Sequence, residues 1–132
     1  MKYNIQLIDI DKIRPIEGFD EQHVREVLQW LKSGIWEVPI IVEKHIYTIM
    51  DGSHRYEAAK RKGLKRIPCW LACYYNDVAS VYSLRDEFKN DNADDFMRRG
   101  LSGDLYPVHT AKHIFKVRKP DDKFKISLYY LQ

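Results

Sequence analysis

The stretch His45-Ile46-Tyr47-Thr48-Ile49-Met50-Asp51-Gly52-Ser53-His54-Arg55-Tyr56-Glu57-Ala58-Ala59-Lys60-Arg61-Lys62-Gly63 runs from an apolar segment through a glycine into a helical pattern. His45 to Met50 suits a strand. Ser53 to Lys62 suits a helix: Ala58 and Ala59 permit close packing, three basic residues complement the C-terminal dipole, and Gly63 stops it. A glycine between a buried strand and a helix N-terminus lets backbone amides approach an anion, and the unpaired N–H groups of the first turn favour phosphate there. His54 and Arg55 add donors at the same end. Local physics leaves a plainer alternative open, in which Asp51 or Ser53 only caps the helix and Arg55 pairs with a surface carboxylate.

Working outward, Tyr3 to Ile10 alternates as a first strand does, and Arg14-Pro15 breaks it. Asp20 can cap a helix whose apolar positions Val24, Val27, Leu28 and Leu31 follow helical spacing, with Gly34 as its stop; its valine-leucine face should lie on the sheet. Pro39 to Val42 and Ile67 to Ala72 read as further strands. Asp77 is expected to cap a helix carrying Val81, Tyr82, Arg85 and Phe88, and the polar patch Lys89 to Asp95 reads as a loop. Gly100, Gly103 and Pro107 punctuate a loop or short helix, and Lys123 to Leu131 resumes a strand-like pattern. The expected class is α+β, a small mixed sheet flanked by helices. Residues 1–90 form the core, and residues 91–132 are a C-terminal extension completing the same domain.

Composition bounds what such a domain can be. With 132 residues, a net charge of +3 and 45% apolar content, the chain is globular and can bury roughly two thirds of its unfolded surface without disulfides or a structural metal. No apolar run approaches a membrane span, and charges enter too early in MKYNIQLIDIDK for a signal peptide, so a soluble cytoplasmic protein is expected. Basic and acidic residues interleave without a phosphate-tracking stripe, so nucleic acid is not an expected partner. Cys69 and Cys73 read as two buried thiols.

Three other features bear on chemistry. Glu17, in the turn Arg14-Pro15-Ile16-Glu17-Gly18, is a general base if that turn faces the Asp51 loop, and otherwise a solvated glutamate. His109-Thr110-Ala111-Lys112-His113 would set two histidines at metal-ligand spacing if helical, but with no local HExxH pattern or nearby cysteine it reads better as an anion or substrate contact. Trp30, Trp36, Trp70 and the paired tyrosines are most cheaply explained by packing. Neither a Walker phosphate loop nor a dinucleotide glycine motif is present.

Val38-Pro39-Ile40-Ile41-Val42, then Tyr47 to Ala59 with Asp51-Gly52-Ser53-His54-Arg55 at its centre, then Lys62-Gly63-Leu64-Lys65-Arg66-Ile67-Pro68, resembles the ParB N-terminal/sulfiredoxin-like superfamily over residues 3–72. Where partition proteins carry Gly-Glu-Arg-Arg, the Asp-Gly-x-His-Arg version is similar to the free L-serine kinase branch. The resemblance implies phosphoryl transfer from ADP or ATP, with Mg²⁺, to the hydroxyl of L-serine, giving O-phospho-L-serine. It implies that Glu17, Asp51 and His54 are catalytic, and that Gly52, Ser53, His54 and Arg55 bind the nucleotide phosphates. Trp36, Thr110, Lys112 and His113 would contact the substrate, and Asp51 would hold the metal. Two departures bear on the acceptor: the Ser83-Leu84 region lacks an aromatic residue that some relatives carry, and Ala111 stands where threonine is familiar. The alternatives are a ParB-like CTP-binding, DNA-associated module, a ParB-like nuclease, and a sensor that keeps the cradle without turnover.

Overall fold

Ile40–Glu43 and Arg66–Ala72 are nearly uninterrupted apolar runs because they form the middle of a sheet covered on both faces. In the computed structural model, which describes residues 3–121 and 123–132, the elements are β1 (Ile5–Asp9), α1 (Glu21–Leu31), β2 (Ile35–Glu37), β3 (Ile40–Glu43), β4 (Ile49–Asp51), α2 (Ser53–Lys62), β5 (Arg66–Ala72), a single turn α3 (Tyr74–Asp77), β6 (Val78–Ser83), α4 (Ala93–Ser102), β7 (Ala111–Phe115) and β8 (Lys125–Ser127). The architecture is α+β. The main sheet has the order β1-β5-β3-β4, with β3 and β5 parallel and the other pairs antiparallel.

Alternation along the central strands divides the core. Ile40, Val42, Ile67, Cys69 and Leu71 face α1 and α2, meeting Val24, Val27 and Leu31 of the first helix and Tyr56, Ala58 and Ala59 of the second. Ile41, Trp70 and Ala72 face the other way, onto Met50 and Val78, with Tyr3, Ile5 and Phe115 packed against them. The two helices are also joined at the surface, where Arg61 grips Glu21 through two hydrogen bonds of 2.6 Å. Asp20 caps the start of α1 through the Gln22 N–H and Gly63 ends α2, as expected, whereas α1 already ends at Leu31, three residues before Gly34.

The C-terminal third is built into this body. β8 pairs with β2, and Leu128 and Leu131 enter the core beneath α1 and α2. β7 pairs with β6. A third cluster, Ile16, Phe96, Tyr106 and Ala111, seats α4. Gly100 allows that seat: a Cβ there would lie 2.4 Å from Thr48 Cγ2.

Several expectations need correction. The helix expected after Asp77 is strand β6. Its valines and tyrosine satisfy helical spacing, but they pair with β7, whose residues lie about thirty positions further along. The expected loop Lys89 to Asp95 instead leads into α4, whose capping box is formed by Asn92 and Asp95. His109 to His113 is no helix: His109 has a positive φ of 59°, and Ala111 onward is β7. The strand expected from His45 begins only at Ile49, because the Glu43 carboxylate accepts the His45 and Ile46 N–H groups and folds residues 44–47 into a turn. Lys123 to Leu131 is strand for three residues and then a 3-10 turn. Cys69 is buried but Cys73 only half so. Among the described residues, no helix is long and apolar enough to cross a membrane.

Candidate functional site

The edge strand β4 stops at Asp51 because Gly52 turns the chain. Gly52 has φ 126° and lies so close to β3 that a Cβ would meet Ile40 Cγ2 at 2.5 Å. The first N–H groups of α2, from Ser53 onward, therefore open beside Asp51 at the C-terminal end of a strand. They form one wall of a cleft of about 360 Å³. Glu17, Asp51, Gly52, Ser53, His54, Arg55, Lys112 and His113 all border it, joined by His23, Val27 and Trp30 of α1 and by His109 and Lys119. An apolar slot of about 310 Å³ adjoins it on the α1 side, sharing Val27, Trp30 and Arg55 and adding Ile35 and Trp36.

Glu17 reaches the cleft because its segment is laced on both sides. Arg14 exchanges backbone hydrogen bonds with Tyr47 and Ile49, and Ile16 and Gly18 do so with Tyr106. Glu17 Oε2 accepts the N–H groups of Thr110 and Ala111 at 3.1 and 2.9 Å, which fixes the carboxylate and ties it to the start of β7. Neither amide uses Oε1.

His54 is held by a different bond. Its Nε2 accepts the Asp20 N–H at 2.9 Å, so the neutral ring carries its proton on Nδ1. Burial, then the neighbouring His23 and His109, push its pKa below the ordinary histidine value, and charging Nε2 would break the bond to Asp20. Its ring stacks on His23 with centroids 4.2 Å apart and on His109 at 5.8 Å. His54 is thus a neutral donor at pH 7. Arg55 turns mostly away: one guanidinium nitrogen donates to Val38 O at 2.7 Å and Pro39 O at 3.0 Å, pinning α2 to the turn before β3.

Asp51 carries the opposite charge to its surroundings. Burial raises its pKa, but Arg55 and Lys119 outweigh burial and keep it ionised; Lys119 Nζ lies 2.9 Å from Oδ2 and an Arg55 nitrogen 4.0 Å from Oδ1. Among the described residues no three His, Cys, Asp or Glu side chains cluster as a metal site. Mg²⁺ needs only one or two carboxylates when phosphate oxygens complete its shell, and Asp51 fits that donor set once Lys119 releases Oδ2.

Of the expected substrate contacts, Lys112 and His113 border the cleft and two residues do not. Trp36 is 1% exposed, its indole N–H donating to Val38 O, so it is a core residue beneath the apolar slot. Thr110 is fully buried, its hydroxyl donating to Pro107 O, and it serves the site through its backbone N–H on Glu17. His113 bonds the Tyr74 hydroxyl at 2.8 Å, and burial pushes its pKa down to about 4. Since the unfolded value is near 6.5, the unfolded chain binds the proton first. Stability should be complete above pH 6.5 and fall towards pH 4 by up to roughly 3 kcal/mol from this group. Urea denaturation at intervals over that range should show the slope, and His113→Gln should flatten it.

His23 and Lys119 escaped the sequence reading. His23, Val27 and Trp30 stand at i, i+4 and i+7 on α1, a stripe beside the buried one, so the spacing held a signal. Lys119 sits in a loop and had none.

The chain is 30% identical over 95 residues to an ADP-dependent L-serine kinase of Thermococcus kodakarensis, covering 68% of this chain and 39% of that protein. It is 28% identical over 137 residues to an ATP-dependent L-serine kinase of Staphylothermus marinus, covering 91% of this chain and 54% of the relative. The chain thus spans about half or less of the length of these curated relatives. A solved structure of a free serine kinase in complex with AMP superposes with a TM-score of 0.86 at 16% identity, over 100% of this chain and 95% of that one, which shows a shared fold. The family model described as the ParB N-terminal domain matches residues 1–85, from β1 through β6, and the chain belongs to that family.

Proposed function

We propose that this chain is a small-molecule kinase that transfers a phosphoryl group from ADP or ATP to the hydroxyl of free L-serine. The observation that carries the reading is one cleft with the open amides of Ser53 and His54 on one wall, the clamped carboxylate of Glu17 on its border, and Lys112 between two histidines on β7 and the turn before it. The serine kinase relatives support donor and acceptor alike.

In this mechanism the donor's phosphates lie on the α2 amides, where N–H dipoles and the Nδ1–H of His54 meet the charge that develops on the transferred group. The base takes the apolar end by Val27 and Trp30. Glu17 Oε1 accepts the proton of the serine hydroxyl as that oxygen bonds to phosphorus and the bond to the leaving phosphate breaks, releasing AMP from ADP or ADP from ATP. Lys112 and His113 orient the amino acid. A Mg²⁺ held by Asp51 and phosphate oxygens would supply further neutralisation.

The test is mass spectrometry of the purified protein incubated with Mg²⁺, L-serine and, separately, ADP, ATP or CTP. O-phosphoserine with the matching AMP or ADP is the expected product. Nucleotide consumption without phosphoserine would replace the acceptor. Binding of CTP and duplex DNA with no turnover would favour the alternative of a ParB-like CTP-binding, DNA-associated module.

A further inference from the structure

Asp51 presents a difficulty to any polyanion in this cleft. Its carboxylate directly precedes the amides on which a phosphate would rest, and like charges repel. In the free protein its charge is met by Arg55, 4.0 Å from Oδ1, and by Lys119, whose ammonium sits 2.9 Å from Oδ2. Lys119 belongs to the loop between β7 and β8, whose backbone is fastened on either side of it. The Lys116 N–H donates to Asp77 O, the Arg118 carbonyl accepts the Tyr3 hydroxyl, and Pro120 is buried. The side chain is held at its tip by Asp51: it is 54% exposed, borders the cleft and carries its ammonium on a flexible four-carbon stem. A fixed base with a flexible arm makes a cation that can exchange partners.

The cleft also has a direction. Val27 and Trp30 of α1 line both the cleft and the apolar slot, whereas Asp51, Lys112 and Lys119 line the cleft alone. A nucleotide whose base takes the apolar slot carries its outermost phosphate to these charged side chains. We infer that Lys119 is a phosphate-contacting residue: its ammonium neutralises Asp51 in the free protein and moves onto the terminal phosphate of a bound nucleoside di- or triphosphate. The exchange relieves the repulsion from Asp51 at the moment the phosphate arrives, and it frees the Asp51 carboxylate for other work. This role rests on the nucleotide reading above and adds to it a residue that distinguishes a diphosphate from a monophosphate.

Calorimetric titration of the wild type, Lys119→Ala and Lys119→Arg with AMP and with ADP separates the possibilities. A charge-assisted contact to the outer phosphate predicts that Lys119→Ala weakens ADP by about 10-fold and AMP by less than about 2-fold, with Lys119→Arg recovering most of the loss. An ion pair that only holds the loop down would shift the melting temperature and leave the ratio of ADP to AMP affinity unchanged, which overturns the role of Lys119 alone. A wild type that binds neither nucleotide overturns the nucleotide reading and this role with it.

Discussion

Glu17→Gln should lower serine phosphorylation by more than ~100-fold while leaving nucleotide affinity within about 2-fold of wild type. The isostere makes the expectation sharp. Oε2 of Glu17 accepts two backbone N–H groups, and a glutamine side-chain oxygen can accept the same two, so the start of β7 stays in place. What is lost is Oε1 as a proton acceptor, since the amide nitrogen that replaces it is a donor. Glu17→Ala is a different experiment. It strands the Thr110 and Ala111 amides beside the buried Thr110 side chain and should cost roughly 2–4 kcal/mol of stability besides the activity. Single-turnover phosphorylation and a nucleotide titration on the glutamine variant decide the matter. Turnover equal to wild type would remove Glu17 from the chemistry and leave it a clamp for β7.

The structure-building half of this site was legible in the sequence because it is local. Gly52 and Gly63 bracket α2, Asp20 caps α1, and Val24, Val27 and Leu31 repeat at helical spacing; each signal needs fewer than a dozen neighbouring residues. The errors lie where pairing is long-range. Val78 to Ser83 satisfies both the helical and the extended period, and the arbiter is β7, which contributes nothing to a local window. The same distance hides the side chains that complete the cleft. Lys119 reaches Asp51 across 68 positions, and the Asp20 N–H reaches His54 across 34. That second bond fixes the tautomer, because Nε2 accepts a proton already owned by the backbone and leaves Nδ1 as the donor. Trp36 was assigned to substrate by resemblance, whereas its place in β2 turns the indole into the core.

Gly52→Ala should be the most damaging single-methyl change in the protein. Two costs add there. A φ of 126° with ψ 24° suits glycine and strains any other residue by about 1–2 kcal/mol, and the new Cβ would lie 2.5 Å from Ile40 Cγ2, 2.6 Å from Ile40 Cβ and 3.3 Å from its Cα. Ile40 has no room to yield: it is 0% exposed and paired with Cys69 in the centre of the sheet, so overpacking should add roughly 2–3 kcal/mol. A total near 4 kcal/mol is a large share of the roughly 5–15 kcal/mol that holds a domain together. Gly63→Ala separates the two costs, because Gly63 also has a positive φ, 79°, yet nothing lies within 4 Å of its Cβ position. The expected result by urea denaturation is a loss of about 1 kcal/mol at position 63 and at least about 3 kcal/mol at position 52. Nucleotide binding should fail in whatever Gly52→Ala protein remains folded, since the strand can keep Ile40 only by moving the amides of Ser53 and His54 off the cleft. Equal losses at the two glycines would mean that β3 gives way to the methyl group, and the close approach of Gly52 to Ile40 would not be what fixes the phosphate-facing amides.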